Sequence, residues 1–317
     1  MTATVTEHRR RTRPLRDLEL DVLESAYTHR LLTTLQLREL HTPPGHTRGL
    51  RWMQQIAAHL HRRGLLDWVR HRDHPGLNCW YVTAEGADVV EAAGPHVGAR
   101  RMLLTPDSAG GMLQRHTLAV NDVGIAFVRW AGRHGHDCDH RSWRHEVAHR
   151  TSDQSGRGEL LVADALLHYA MHTQGRTTLV YRFVELDRAT MTVQQLGDKL
   201  RRYVRYATYR PRQPDDADLA WRRRYPGLPG VVVVLDGKPR HLLERRLAML
   251  AAVARVDPVL RDADAPTISL VLLEDLQHHG PFAGVLRRLQ APDEPVDLLG
   301  RAVTDLGEPL AATGTDG

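Results

Sequence analysis

Residues 183–190, FVELDRAT, set Glu185 and Asp187 two positions apart at the end of TTLVYRFV, a run that otherwise reads as a buried strand. Side chains alternate along a strand, so these two carboxylates share a face. Like charges in a low-dielectric site repel and must be compensated by a divalent cation, a neighbouring Lys or Arg, or solvent at a strand end. A third carboxylate, Asp164, stands alone between ELLV and ALL in another apolar stretch. Adjacent strands lie about 4.8 Å apart, so pairing these two stretches would bring the three carboxylates together. Hard divalent ions prefer such an oxygen site, which makes Mg2+ (or Mn2+) the expected ligand of Asp164, Glu185 and Asp187. The chemistry expected is phosphodiester hydrolysis, in which the ion polarises the phosphoryl group and generates a hydroxide nucleophile. The competing reading pairs Glu185 and Asp187 with Arg182, Arg188 or Arg202 in a structural network.

The segment that follows, MTVQQLGDKLRRYVRYATY, has the period of an amphipathic helix, with Val193, Leu196, Leu200, Val204 and Ala207 on its apolar stripe. Lys199 and Tyr203 border that stripe. Only Lys199 and Lys238 are lysines among 43 basic residues, so a retained ammonium here is a candidate for stabilising phosphoryl charge or orienting water. Arg201, Arg202 and Arg205, interleaved with Tyr203, Tyr206 and Tyr209, are expected to track a nucleic-acid backbone and stack bases. Glu146 and His116 are possible accessory groups, each with an ordinary alternative: an exposed edge-strand acid and a satisfied core histidine. HGHDCDH, residues 134–140, has the composition of a metal cluster but lacks a second ligand group at a zinc spacing. A tyrosine-dependent relaxase would need a His-hydrophobe-His strand, and none is visible.

Upstream, three helical segments over residues 17–66 precede two β-prone stretches around DHPGLN and a short helix, AEGADVVEAAG. That order is expected of a winged helix-turn-helix, whose third helix enters the major groove of double-stranded DNA. Arg48, Arg51, Gln55 and Arg62 on or beside that helix, with Arg70 in the hairpin, are types that hold phosphates or read base edges. The expected domains are a basic arm (1–14), the winged helix (15–94), a linker (95–112), a second domain (113–304) and a loose tail (305–317). In the second domain a helix, three successive strands, helix, strand, helix and strand make a mixed α/β, α+β-type three-layer fold with helices on both faces.

A chain of 317 residues with 42% hydrophobic content can bury a sizeable core. Two cysteines exclude a disulfide scaffold and suit a reducing compartment. With no apolar run long enough for a membrane span and no signal-peptide pattern at the N-terminus, the expected location is cytoplasmic, with no membrane partner.

The run HEVAHR…LLVADALL…YRFVELDRATMTVQQLGDKLRRYVRY, preceded by the winged-helix region, resembles the plasmid replication-relaxation proteins of actinobacteria. The resemblance implies a restriction-endonuclease-like second domain of the PD-(D/E)XK type, similar to one class of plasmid relaxases. It implies a DNA-nicking or replication-initiation role at a plasmid or mobile-element origin, and leaves a homodimer open. Asp164 corresponds to the motif aspartate and Glu185 to its second acid. Position 187 departs from the pattern, with aspartate where lysine is usual, and Lys199 is the candidate replacement. The alternative is a non-catalytic DNA-binding replication or transcription regulator with an inactive nuclease-like domain.

Overall fold

The computed structural model describes residues 14–94, 101–154, 160–212, 218–261 and 265–303. The basic arm and the tail expected at the two ends fall almost entirely outside this set, as does the first part of the linker.

The N-terminal unit opens with helix α1 (Asp17–His29), strand β1 (Leu32–Thr33), helix α2 (Thr34–Leu40) and helix α3 (Leu50–Arg62). Strands β2 (Leu66–Arg70) and β3 (Asn78–Val82) then form an antiparallel hairpin, and helix α4 (Ala84–Ala93) closes the unit. The helix-helix-helix-hairpin order matches the expectation. Met53, Ala57 and Leu60 of α3 recur on one helical face and pack with Val22, Leu23, Leu37 and Trp80 in a single apolar cluster. Strand β1 has no sequence signal, because two residues are too few to carry an alternation. It pairs Leu32 with Trp80 on the free edge of β3.

Residues 106–109, inside the expected linker, form a short helix, α5 (Pro106–Ala109). The second unit begins with α6 (Gln114–His134) and strands β4 (Trp143–Arg150), β5 (Leu160–Thr173) and β6 (Arg176–Asp187). Helix α7 (Val193–Thr208), strand β7 (Gly230–Leu235), helix α8 (Arg240–Val256) and strand β8 (Ile268–Leu272) follow. Helix α9 (Leu273–His279) and strands β9 (Leu286–Arg288) and β10 (Pro295–Val296) complete it. LED, read as the end of a strand, instead starts α9. The strands form one mixed sheet of order β10-β9-β8-β7-β6-β5-β4, parallel where β6, β7 and β8 meet and antiparallel elsewhere. β7 and β8 are buried at every position, as continuous apolar strands between two helical layers must be. One face packs against α6 and α9 and the other against α7 and α8. The fold is mixed α+β.

α6 sits unusually close to the sheet. A Cβ added at Gly124 would lie 2.4 Å from the Trp143 ring, so only glycine permits this approach.

The two units are tied together by polar contacts. The Gln36 amide donates to the Leu118 carbonyl (2.8 Å) and to Asp122 (2.7 Å) of α6. Asn121 donates to the Leu31 carbonyl (2.8 Å), and its amide oxygen lies 2.8 Å from His145 Nε2. His29 stacks on Trp143 with ring centroids 3.9 Å apart.

Candidate functional site

Strand β5 pairs with β6 from Thr173 back to Ala165, which faces Val184. Beyond that point the ladder parts. Residues 160–163 of β5 pair only with β4, while Glu185, Leu186 and Asp187 pair only with β7. The side-chain alternation of β5 also slips here: Leu161 and Ala163 face the α7 layer, Ala165 and Leu167 the α6 layer, and Leu166 the α7 layer again. On β4, the position opposite Asp164 is Glu146, which takes a positive φ of 48°. The sheet therefore forks at Asp164, whose carboxylate replaces the missing ladder acceptor by taking the Leu186 N–H at 2.8 Å.

Lys199 closes the fork from α7. Its Nζ donates to Asp164 Oδ1 at 3.1 Å and forms an ion pair with Glu185 Oε2, so one ammonium bridges the two carboxylates. The Tyr203 hydroxyl donates to the other Glu185 oxygen. From the opposite layer, His116 Nε2 of α6 lies 3.7 Å from Asp164 Oδ2. The heptad-like position of Lys199 and Tyr203, one turn apart on α7, places both side chains over the end of β6. The Thr192–Gln195 capping box fixes where that helix starts.

The electrostatics of the pair are uneven. Burial, then the Asp164 charge, pushes the Glu185 carboxyl up to about 8. Burial would also raise Asp164, but His116, Lys199 and the Leu186 N–H outweigh it and hold that carboxyl at about 2. Burial works against the Lys199 ammonium, yet the two carboxylates hold it above its ordinary range. The Tyr203 phenol is raised well above its ordinary value by burial and then by Glu185. One ammonium is thus shared by two acids, and Glu185 is left short of positive charge.

Asp187 does not join this group, and its place in the expected catalytic and ion-binding set is corrected. It shares the face of Glu185, as alternation requires, but lies under α8, where Arg246 grips it through both Nε and Nη2. Arg246 also donates to the Met191 carbonyl at 2.7 Å, and the Ala189 N–H donates to Asp187 Oδ1 at 3.0 Å. The guanidinium that claims Asp187 comes from neither its own strand nor α7, so none of the arginines weighed in the sequence was the partner. HLLERRLAML carries no signal that singles out Arg246. Asn121 is committed to the Leu31 carbonyl and to His145 rather than to the fork carboxylates. Glu146 is exposed and paired with Arg30 at 2.7 Å.

The expected basic, aromatic surface on α7 is also revised. Tyr203 and Tyr206 are buried core residues, and Tyr209 donates to Asp153 at 2.6 Å. Arg201 is committed to Asp257 at 2.6 Å and to Asp198. Arg205 is exposed and Arg202 half-buried.

On the N-terminal unit, Arg48, Arg51, Gln55, Arg62 and Arg70 all face solvent. Arg48 lies over the Trp52 ring at 5.2 Å and Arg70 over Trp68 at 5.0 Å, which pre-orders two guanidinium groups beside α3. Gln54 is exposed on the same side and was missed. The hairpin is anchored to the start of α6: Arg115 grips Asp73, and Arg72 Nη1 donates to the Gly110 carbonyl at 3.0 Å. Arg115 is the residue before His116 on α6.

The sequence model of the replication-relaxation family matches residues 23–218, more than half of the 317 residues. The chain belongs to the replication-relaxation family. The match takes in most of the N-terminal unit, the forked strands and the whole of α7, so the cluster around Asp164 lies inside the family segment. Family membership points to a role in the replication or relaxation of plasmid or mobile-element DNA. No curated protein and no solved structure matches this replication-relaxation protein. Among its described residues no helix is long and apolar enough to cross a membrane.

Proposed function

We propose that this protein is a metal-dependent DNA-nicking endonuclease acting on plasmid or mobile-element DNA, with a winged-helix unit that grips the duplex and a restriction-endonuclease-like unit that cuts one strand. The observation that carries the reading is the fork: two carboxylates from strands that part at that point, with a single ammonium between them. Both acids already reach one cation centre, so Asp164 and Glu185 fit a divalent ion of the Mg2+ or Mn2+ type. Such an ion would supply phosphoryl polarisation and lower the pKa of water. Lys199, displaced from the carboxylates, is within reach to offer its ammonium to a phosphate oxygen. Tyr203 holds Glu185 in place by its hydroxyl. His116, half-exposed and beside Asp164, can pass a proton between bulk water and the departing oxygen. In the reaction a water oxygen bonds to phosphorus, one P–O ester bond breaks, and the proton lost by the water balances the one gained by the leaving alkoxide.

A second reading has one observation in its favour. Lys199 already bridges the two acids without any ion, as in a structural triad, and the protein is then a DNA-binding replication regulator. Supercoiled plasmid incubated with the protein and Mg2+ separates the two. Open circles formed by the parent and not by Lys199→Ala or Glu185→Gln support the nuclease; intact plasmid under every divalent ion, with DNA still bound, leaves the regulator.

A further inference from the structure

A second group of metal-capable side chains lies far from the fork, on the seam between the two units. Asp21 and Glu24 project from α1, and His140 comes from the turn between α6 and β4. One ligand atom from each falls within 4.8 Å of the others, the only such set of three among the described residues. His140 is 7% exposed, and its Nε2 is buried without a hydrogen-bond partner. That nitrogen is 3.7 Å from Glu24 Oε2. The distance is too long for a hydrogen bond, yet near the roughly 3.3 Å that separates two ligand atoms in a tetrahedral zinc shell. A buried polar atom left unpaired costs on the order of 1–3 kcal/mol, so the fold tolerates His140 Nε2 only at a penalty that a ligand would remove.

The site is stiff on the histidine side. His29 Nε2 lies 2.7 Å from the His140 carbonyl and must carry the proton there, since a carbonyl only accepts. Asp139 caps the same turn through the Arg141 N–H at 2.7 Å and the Ser142 hydroxyl at 3.2 Å. Arg141 now bridges Glu24 at 2.6 Å and Asp21 at 3.0 Å. It is half-exposed and can swing into water. Asp21, His140 and Arg141 also line an open groove of about 1270 Å³ between the units, which gives an ion a path in.

From this geometry we infer a zinc-type transition-metal site formed by Asp21, Glu24 and His140, with Arg141 as a displaceable placeholder. One imidazole and two carboxylates suit a borderline ion of the Zn2+ class better than Mg2+, which rarely accepts nitrogen. Bound there, the ion joins α1 of the DNA-gripping unit to the strand that edges the catalytic sheet. It braces the orientation of one unit on the other. Of the HGHDCDH run, His140 alone takes part; its partners lie more than a hundred residues upstream, where no spacing rule would find them.

The test is calorimetric titration of the chelator-stripped full chain with Zn2+, with circular dichroism as a check on folding. In the Asp164→Ala background, where the fork cannot compete for the ion, one equivalent is expected to bind, at least about tenfold more weakly when Glu24→Gln or His140→Asn is added. Binding in that background should tighten several-fold when Arg141→Ala is added, because the competing cation is gone. Equal affinity with and without Glu24→Gln and His140→Asn means adventitious binding elsewhere on a chain with 20 histidines and overturns the inference. So does zinc lost in Asp164→Ala alone, or binding that is no tighter once Arg141→Ala is added.

Discussion

Glu185 and Asp187 occupy the same strand and the same face, and both are 1% exposed, yet they live in opposite electrostatic conditions. Asp187 has a guanidinium to itself, held through two nitrogens, with a backbone N–H besides. Glu185 shares one lysine with Asp164 and relies on a phenol for the rest. A planar fork matched to a carboxylate leaves no coordination free, whereas a point-charge ammonium stretched between two acids leaves a deficit that a divalent ion would fill. Burial of a carboxylate is therefore no sign of function by itself. The way its charge is balanced tells a structural acid from a candidate ligand.

The largest effect should come from the closed pair. Asp187→Ala strands the Arg246 guanidinium in the interior and should cost about 3–5 kcal/mol in urea unfolding; a loss under 1 kcal/mol would mean that the two acids are less different than the geometry says. Lys199→Ala should reduce nicking about a hundredfold or more, assayed below the variant's own melting temperature. If nicking survives, the ammonium is a structural counter-charge and nothing else.

Next comes pH. The folded Glu185 carboxyl, raised to about 8 from 4.5, binds a proton more readily than in the unfolded chain. Its contribution to stability is therefore fully present below about pH 4.5 and is lost as pH rises toward 8. Glu185→Gln, neutral at every pH, should flatten the stability profile across that window. A profile of unchanged slope would show that Glu185 is ionised throughout and as well compensated as Asp187. The smallest effect belongs to the exposed face of α3: Arg51→Ala should lower the slope of log affinity against log salt by about 1. An unchanged slope would take that face off the DNA.

Much of this contrast was legible in the sequence, and the rest was hidden for physical reasons. Periodicity located α1, α3, α6 and α7 to within a few residues, because each has one apolar stripe and one polar face. The isolation of Asp164 in an apolar run, and the survival of Lys199 in an arginine-rich chain, marked two residues that do meet. What could not be read was which of two like acids on one face would be neutralised, since Arg246 arrives from a helix some sixty positions later. Nor could the tyrosines of α7 be assigned to surface or core: they alternate with arginines along the chain, but the helix turns Tyr203 and Tyr206 inward. The fork itself has no sequence signature, because a register break depends on how three strands diverge together.

The most direct test sets the two acids against each other in one experiment: strand scission of supercoiled plasmid by the parent, Asp164→Ala and Asp187→Asn, each assayed with Mg2+ below its own melting temperature. A cutting site built on the fork predicts open circles from the parent and from Asp187→Asn and none from Asp164→Ala. Scission by Asp164→Ala at the parental rate, or its loss in a folded Asp187→Asn protein alone, would contradict it.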